Sequence, residues 1–465
     1  MRRKWVAAVI VGPLVLVAAS VLLWRHKHAV SQPPALQQTT KSVHADHQHQ
    51  FDQILEASLA AGYPDKYAWK LFAKVNAKAG VSGTTCENVQ PPRNGVTDDG
   101  TGDVCWQRWA DADLDIFAKA KATSLAWPDH REMKFLPSFL NLLQVIAAEH
   151  AQGPPQSRQY GLLKQEEPGR YSEADFEAAE EYEQKLLPPA APDWLKDPKL
   201  SRIPGEEIRL NKYAFDYVNQ EQLWYQEGQK RALVCGITVN FPPESIAVKA
   251  DWRVVGANDP PSFCTGDSPE YHCTYATNGV QWKLVALHII SRSLPDWVWA
   301  TWEHKSNKNK KENFCHPNPC EDKFGYEYDA NGNPSNQPSP ELAKLLVPLG
   351  KEWENYRLHG TQISFTCPIG PTCPSGVTVL GNSVIEASFI KSSSCINCHS
   401  RAARKSNGST PNANAYVGEP TNPDPLEDDE RLGFLWSLGE DAVCRDPDPK
   451  GCKPASCPNA SPSSP

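Results

Sequence analysis

Methionine is almost missing from this chain: Met1 and Met133 are the two in 465 residues. No G-x-S-x-G elbow, no H-E-x-x-H pair and no phosphate-binding glycine loop occurs, so the sequence marks of a serine hydrolase, a zincin and a P-loop enzyme are all lacking. No internal repeat is present. Basic charge is scarce beyond the N-terminus. The first 28 residues hold five Lys/Arg and no Asp/Glu, and the remainder carries 42 basic against 55 acidic side chains, a net −13. So acidic a body argues against a nucleic-acid partner.

Cysteine, by contrast, is plentiful, with 14 residues. Two of them lie in Cys395-Ile396-Asn397-Cys398-His399, which reads C-x-x-C-H, the attachment signal of a c-type haem. Thiols three positions apart on one turn can form thioethers to the two vinyl groups of one porphyrin. The next residue, His399, is then held under the ring as an axial iron ligand. The competing readings of the string are a thioredoxin-like redox pair, half of a zinc site and an ordinary disulfide. A redox pair needs no following His and sits after a strand in a βαβ unit, a pattern not found here. Cys315/Cys320 and Cys367/Cys373 are too loosely spaced to complete a zinc ribbon.

Residues 1–28 form an export segment. Met1-Arg2-Arg3-Lys4 precede an uncharged apolar run over residues 5–24, long enough to cross a bilayer core of about 30 Å. The length favours an uncleaved inner-membrane anchor over a cleaved signal peptide, although Val17-Ala18-Ala19 is a usable cleavage site. Either way the body is exported, to a periplasmic location where c-type haem is attached. Residues 29–50, rich in Gln, His, Thr and Pro, read as a flexible linker in which His44, His47 and His49 are solvated. The twelve cysteines outside the motif fit disulfides in an oxidising compartment. Cys86 lies near Cys105, Cys264 near Cys273, Cys315 near Cys320 and Cys367 near Cys373, while Cys235 has no evident partner and Cys444, Cys452 and Cys457 crowd the tail. Sequence alone does not fix the connectivity.

The body, residues 51–440, divides into a mainly helical part over 51–230 and a sheet-containing part with the haem motif over 231–440, followed by a Pro/Ser/Cys-rich tail over 441–465. Apolar residues recur at helical spacing from Phe51 to Val75, from Trp106 to Phe117 and from Phe135 to His150. Acidic residues 172–187 form a further helix, and another starts near Pro204 or Gly205, with Ile208, Tyr213, Ala214, Tyr217 and Val218 on one face. Strands are predicted over 245–252, 280–290, 297–304 and 362–365, and helices over 340–356 and 428–438. The fold class is α+β: a helical first half packed with a mainly antiparallel sheet and a C-terminal haem c-binding segment, not a small all-α cytochrome c module.

The scarcity of methionine bears on the iron. Nothing after His399 is Met or His, so the arrangement in which a downstream Met takes the sixth iron position is excluded by composition. The remaining options are five-coordinate iron, an unusual ligand such as Lys, or a residue folded in from upstream. His288, inside an apolar strand, and His304, at the end of the Trp-rich strand, are the candidate sixth ligands; both also have ordinary structural readings as hydrogen-bonded core histidines. His130, Met133 and His359 are further possibilities.

The segments Ala247-Val248-Lys249-Ala250-Asp251-Trp252-Arg253, Val285-Ala286-Leu287-His288-Ile289, Pro295-Asp296-Trp297-Val298-Trp299-Ala300-Thr301-Trp302-Glu303-His304 and Gly360-Thr361-Gln362, with the haem motif, resemble a set of exported bacterial single-haem proteins labelled only as cytochrome c family proteins. The resemblance spans Phe51 to Leu438. It implies one covalent haem c on Cys395 and Cys398 with His399 on the iron, and it supplies no activity. The Cys315–Cys320 insertion and the Cys-rich tail depart from it.

Electron transfer is the function these features fit, with a redox partner protein or a small-molecule donor or acceptor. The alternatives are a haem c-dependent, peroxidase-like oxidoreductase with an open iron site, and a haem-based sensor. A single C-x-x-C-H argues against a di-haem peroxidase, while a body larger than an electron carrier needs argues for more than shuttling.

Overall fold

In the computed structural model of the chain, the described residues are 52–79, 86, 103–128, 204–255, 259–275, 281–307, 322–328, 334–365, 380–386, 393–405, 429–435, 437–438, 442 and 444–445. The apolar run 5–24, the linker 29–50, His130, Met133, the stretches 135–150 and 172–187, Cys315, Cys320, Cys367, Cys373, Cys452 and Cys457 lie outside them. Among the described residues no helix is long and apolar enough to cross a membrane. The chain separates into two units, Met1–Leu55 and Glu56–Pro465, and the second holds the whole of the sheet and the C-x-x-C-H motif.

Helix α1 spans Pro64–Val75, opened by a proline in its first turn and an acidic Asp65 and closed near Lys74, all at positions that suit the helix dipole and its unpaired first amides. Strand β1 is Ala110–Asp111, β2 is Pro204–Leu210, helix α2 is Lys212–Gln220 and helix α3 is Gln226–Val234. Strands β3 (Ile246–Val254), β4 (Cys273–Tyr275), β5 (Gln281–Ser291) and β6 (Val298–His304) follow, then β7 (Tyr326–Tyr328), β8 (Pro334–Pro338) and helix α4 (Pro340–Leu346). Strand β9 is Tyr356–Gln362, helix α5 is Cys395–His399, and β10 (Ala403–Arg404) and β11 (Glu430–Arg431) come last.

Among the described residues, seven strands form one sheet, in the order β1-β2-β3-β5-β6-β9, with β4 also on β5. Every pairing is antiparallel. Strand β5 is long enough to serve two neighbours on one edge: β6 pairs with residues 286–291 and β4 with residues 281–283. Two small antiparallel pairs, β7–β8 and β10–β11, stand apart from this sheet. The fold is thus α+β with a mainly antiparallel sheet.

Strand alternation sorts the side chains into two faces. Val248, Ala250 and Trp252 of β3, Leu287 and Ile289 of β5, Ala300 and Trp302 of β6 and Leu358 of β9 join Trp69 and Phe72 of α1 in one apolar core. The rings interlock: Trp302 lies 5.1 Å from Phe72 and 5.9 Å from Trp69, centroid to centroid, and Trp353 lies 5.5 Å from Phe72. Burying each such side chain contributes about 1.5–3 kcal/mol. On the other face the same strands present Asp251, Arg253, His288, Thr301 and Glu303, and all of these are buried too.

Four expectations are corrected. Residues 204–210 are a strand, not the start of a helix. Glu207 and Arg209, two apart, form an ion pair of 2.6 Å on one side of β2, and Trp252 donates its indole N–H to Glu207 at 2.9 Å. The helix begins only after Asn211, whose side chain caps the Ala214 amide. The helix expected over 340–356 breaks after Leu346, and Gly350, at a φ of +132°, turns the chain into a separate short 3-10 segment. Within the segment expected as a helix over 428–438, Glu430–Arg431 pair as a strand with Ala403–Arg404. The strand expected at 362–365 lies earlier, over 356–362.

Candidate functional site

Helix α5 is little more than one turn, with Cys398 N–H donating to the Ser394 carbonyl at 2.9 Å and Ser400 N–H to that of Ile396 at 2.9 Å. Its spacing sets Cys395 and Cys398 on one side. Ile396, 1 % exposed, anchors the turn in a second apolar cluster that also holds Trp297, Trp299 and Leu380. Gln362, the last residue of β9, clamps the turn from the sheet. Its Oε1 accepts the Ile396 amide at 3.1 Å, and its Nε2 donates to Ser394 Oγ at 3.3 Å.

The motif rests on the polar face of the sheet, and alternate residues of β6 receive what lies over it. The Trp299 ring lies 4.5 Å from the His399 ring. Thr301 Oγ1 accepts from Asn382 Nδ2 at 2.9 Å. Glu303 accepts both the Ser383 amide and the Ser383 hydroxyl, each at 2.5 Å.

His399 is held by the chain's late residues. Its Nδ1 donates to the Phe434 carbonyl at 2.8 Å, since a carbonyl can only accept. That leaves Nε2 as the nitrogen with a lone pair. Burial pushes the imidazole down to about 4, with the charges of His288 and Lys249 adding to the effect, so the ring is neutral near pH 7. The Phe434 carbonyl is aimed by two successive left-handed residues, Gly433 at φ +58° and Phe434 at +71°. For Phe434 this costs about 1–2 kcal/mol. A side chain at position 433 would meet the Phe241 ring at 2.9 Å.

Eight cysteines are described, and they fall into two classes. Cys86–Cys105 and Cys264–Cys273 are disulfides, as their proximity in sequence suggested. Cys235 and Cys444 are disulfide-bonded as well. Cys395 and Cys398 carry reduced thiols. Burial pushes both thiols up, and the charge of Glu386 adds to each.

The two candidate sixth ligands are placed differently. His304 has both ring nitrogens engaged, Nε2 donating to the Glu270 carbonyl at 2.9 Å and Nδ1 with Ser306 Oγ at 2.7 Å. Its ring stacks on Tyr271 at 3.8 Å, and burial pushes it down to about 3. His288 is on the face that carries the motif, opposite Lys249 on one side and Thr301 on the other. Its Nε2 meets Glu386 Oε1 at 2.9 Å. Burial alone would push the Glu386 carboxyl up; the charge and hydrogen bond of His288, with Lys249, hold it below the ordinary range. Its other oxygen accepts the Asn382 amide at 2.6 Å. The structure therefore brings His288, and not His304, into the electrostatic neighbourhood of His399. His359, the further ligand possibility that is described, lies in β9 with Nδ1 3.7 Å from Glu303.

Sequence reasoning missed Gln362, Glu386 and Phe434. Gln362 ends the Gly360-Thr361-Gln362 segment of the resemblance, which gives it no role, Glu386 is a single polar residue with no motif around it, and Phe434 acts through its backbone. Among the described residues, no group of three or more His, Cys, Asp and Glu side chains is arranged to hold a bare metal ion. The donor set at α5 fits a haem c instead: two reduced thiols on one turn and a neutral imidazole with Nε2 remaining. No protein-family model, no curated protein and no solved structure matches the chain.

Proposed function

We propose that the chain is an exported, membrane-anchored or periplasmic mono-haem c-type cytochrome acting in electron transfer. One observation carries the reading. Of the eight described cysteines, six are oxidised and the two that are not are those of C-x-x-C-H, on the turn that ends in a neutral, N–H-anchored His399. Cys395 and Cys398 would hold the haem through thioethers, and His399 would ligate iron through Nε2. Bound there, haem supplies a reversible one-electron couple. The chain's own part is to hold His399 neutral, to back it with the Trp299 ring and to fix the attachment turn to the sheet through Gln362. The oxidised cysteines support an extracytoplasmic setting, and the acidic body would suit a basic redox partner.

Acidified acetone should leave the haem on the unmutated protein, and Cys395→Ser with Cys398→Ser should abolish covalent haem altogether. Haem extracted from the unmutated protein would overturn the reading. A reversible one-electron titration of the purified protein tests the electron-transfer role.

A further inference from the structure

The loop that orients His399 is built from both ends. Leu432 N–H donates to the Ala402 carbonyl at 2.8 Å, Leu435 N–H to that of Leu432 at 3.1 Å, and Arg431 to the Ser400 carbonyl at 3.1 Å. Between these ties the chain takes two left-handed residues in a row, and the second is not a glycine. A bulky residue in that conformation persists only where the surroundings over-determine it. The surroundings here are specific. The Phe434 carbonyl accepts the His399 N–H, while its ring lies 6.1 Å from Trp299, the indole that backs the same imidazole. Gly433 makes the approach possible, because a Cβ there would collide with Phe241.

We propose that Phe434 is the positioning residue of the iron site, its left-handed backbone aiming a carbonyl that fixes the tautomer of His399 and thereby sets the electron donation of its Nε2 to haem iron. The part about iron rests on the haem reading; the part about the tautomer does not. A hydrogen bond accepted from the far nitrogen of a metal-bound histidine makes it a stronger donor. Stronger donation favours ferric iron, so losing this bond raises the reduction potential.

The substitutions separate the carbonyl from the ring. Phe434→Asn keeps a residue that tolerates the left-handed region and loses the ring. Phe434→Val is β-branched and resists that region. The Val variant should show an upward shift in reduction potential and the Asn variant little change. Equal shifts in both, or a shift in neither, would overturn the proposal. A readout independent of haem is the nitrogen NMR of histidine-labelled full-length protein carrying Cys395→Ser and Cys398→Ser. His399 should give the Nδ1–H tautomer with a slowly exchanging proton, and an Nε2–H tautomer would refute the assignment even if the Val variant fails to fold. Absence of covalent haem from the unmutated protein, alongside an Nδ1–H tautomer in the doubly substituted one, would sink the haem reading while leaving the positioning role intact.

Discussion

The two faces of the central sheet are both buried, yet they are built from opposite chemistry. Towards α1 the strands offer Trp252, Leu287, Ala300 and Trp302, and the filling is ring against ring. Towards α5 the same strands offer Asp251, His288, Thr301 and Glu303, and each of the last three is matched by a hydrogen bond to residues 382–386. A dry face needs only volume and shape. A polar buried face needs every partner in place, because an unmatched group costs its full desolvation. The apolar face therefore stabilises the fold, and the polar face holds particular atoms at particular points.

This contrast can be tested by breaking each face in turn. The largest loss is expected on the apolar side: Trp302→Ala should cost about 3–5 kcal/mol, read from the denaturant midpoint at an unchanged slope. A cost below about 1 kcal/mol would mean that the aromatic cluster is not the main source of stability. Glu303→Gln on the polar side should cost less, about 1–3 kcal/mol, through the weakened bonds from Ser383. It should also alter the surroundings of His359, seen as a shift in that ring's NMR resonances; an effect on stability alone would make the polar face ordinary core.

The smallest effect is a slope with pH. His304 titrates at about 3 in the folded chain because burial disfavours its cation, against about 6.5 when unfolded. Below 6.5 the unfolded chain takes a proton that the folded chain refuses. The stability tied to this residue is whole above about pH 6.5 and is lost as the pH falls towards 3. His304→Gln should flatten that part of the profile and, on the haem reading, leave the haem spectrum unchanged, since both ring nitrogens already serve Ser306 and Glu270. Asp251 works in the reverse sense. Burial, with Glu206 beside it, raises its carboxyl, so its contribution falls as pH rises above about 4.

Legibility in the sequence divides along the same line. The alternation of Ile246 to Trp252, the apolar run from Leu284 into Ile290, interrupted only by His288, and the tryptophans of β6 each mark a strand by side-chain type alone, and all three lie within a residue or two of the expected bounds. The C-x-x-C-H string is legible because, on the haem reading proposed above, its spacing would be dictated by covalent chemistry. Strand β2 reads as helix because the true helical pattern of Tyr213, Ala214, Tyr217 and Val218 extends back on paper to Ile208, and nothing in the pattern singles out Asn211 as the cap. The support of the site is invisible for a deeper reason. Gln362 and Glu386 acquire their roles only through the register of strands far apart in sequence, and Phe434 contributes a carbonyl, which every residue has.

The burial of Cys395 also says something about the order of events in the life of the chain. Two neighbouring thiols in an oxidising compartment are in a race between joining each other and meeting a porphyrin. In the finished fold both thiols are held protonated, and only thiolates exchange with disulfides, so the fold slows the first outcome. It slows the second as well, since Cys395 is 8 % exposed and its thiol is turned to the Leu380 carbonyl. On the haem reading, attachment would then belong to the period before residues 380–386 settle over the sheet. A chain that folds ahead of its haem would be left with its attachment turn intact and its first thiol out of reach.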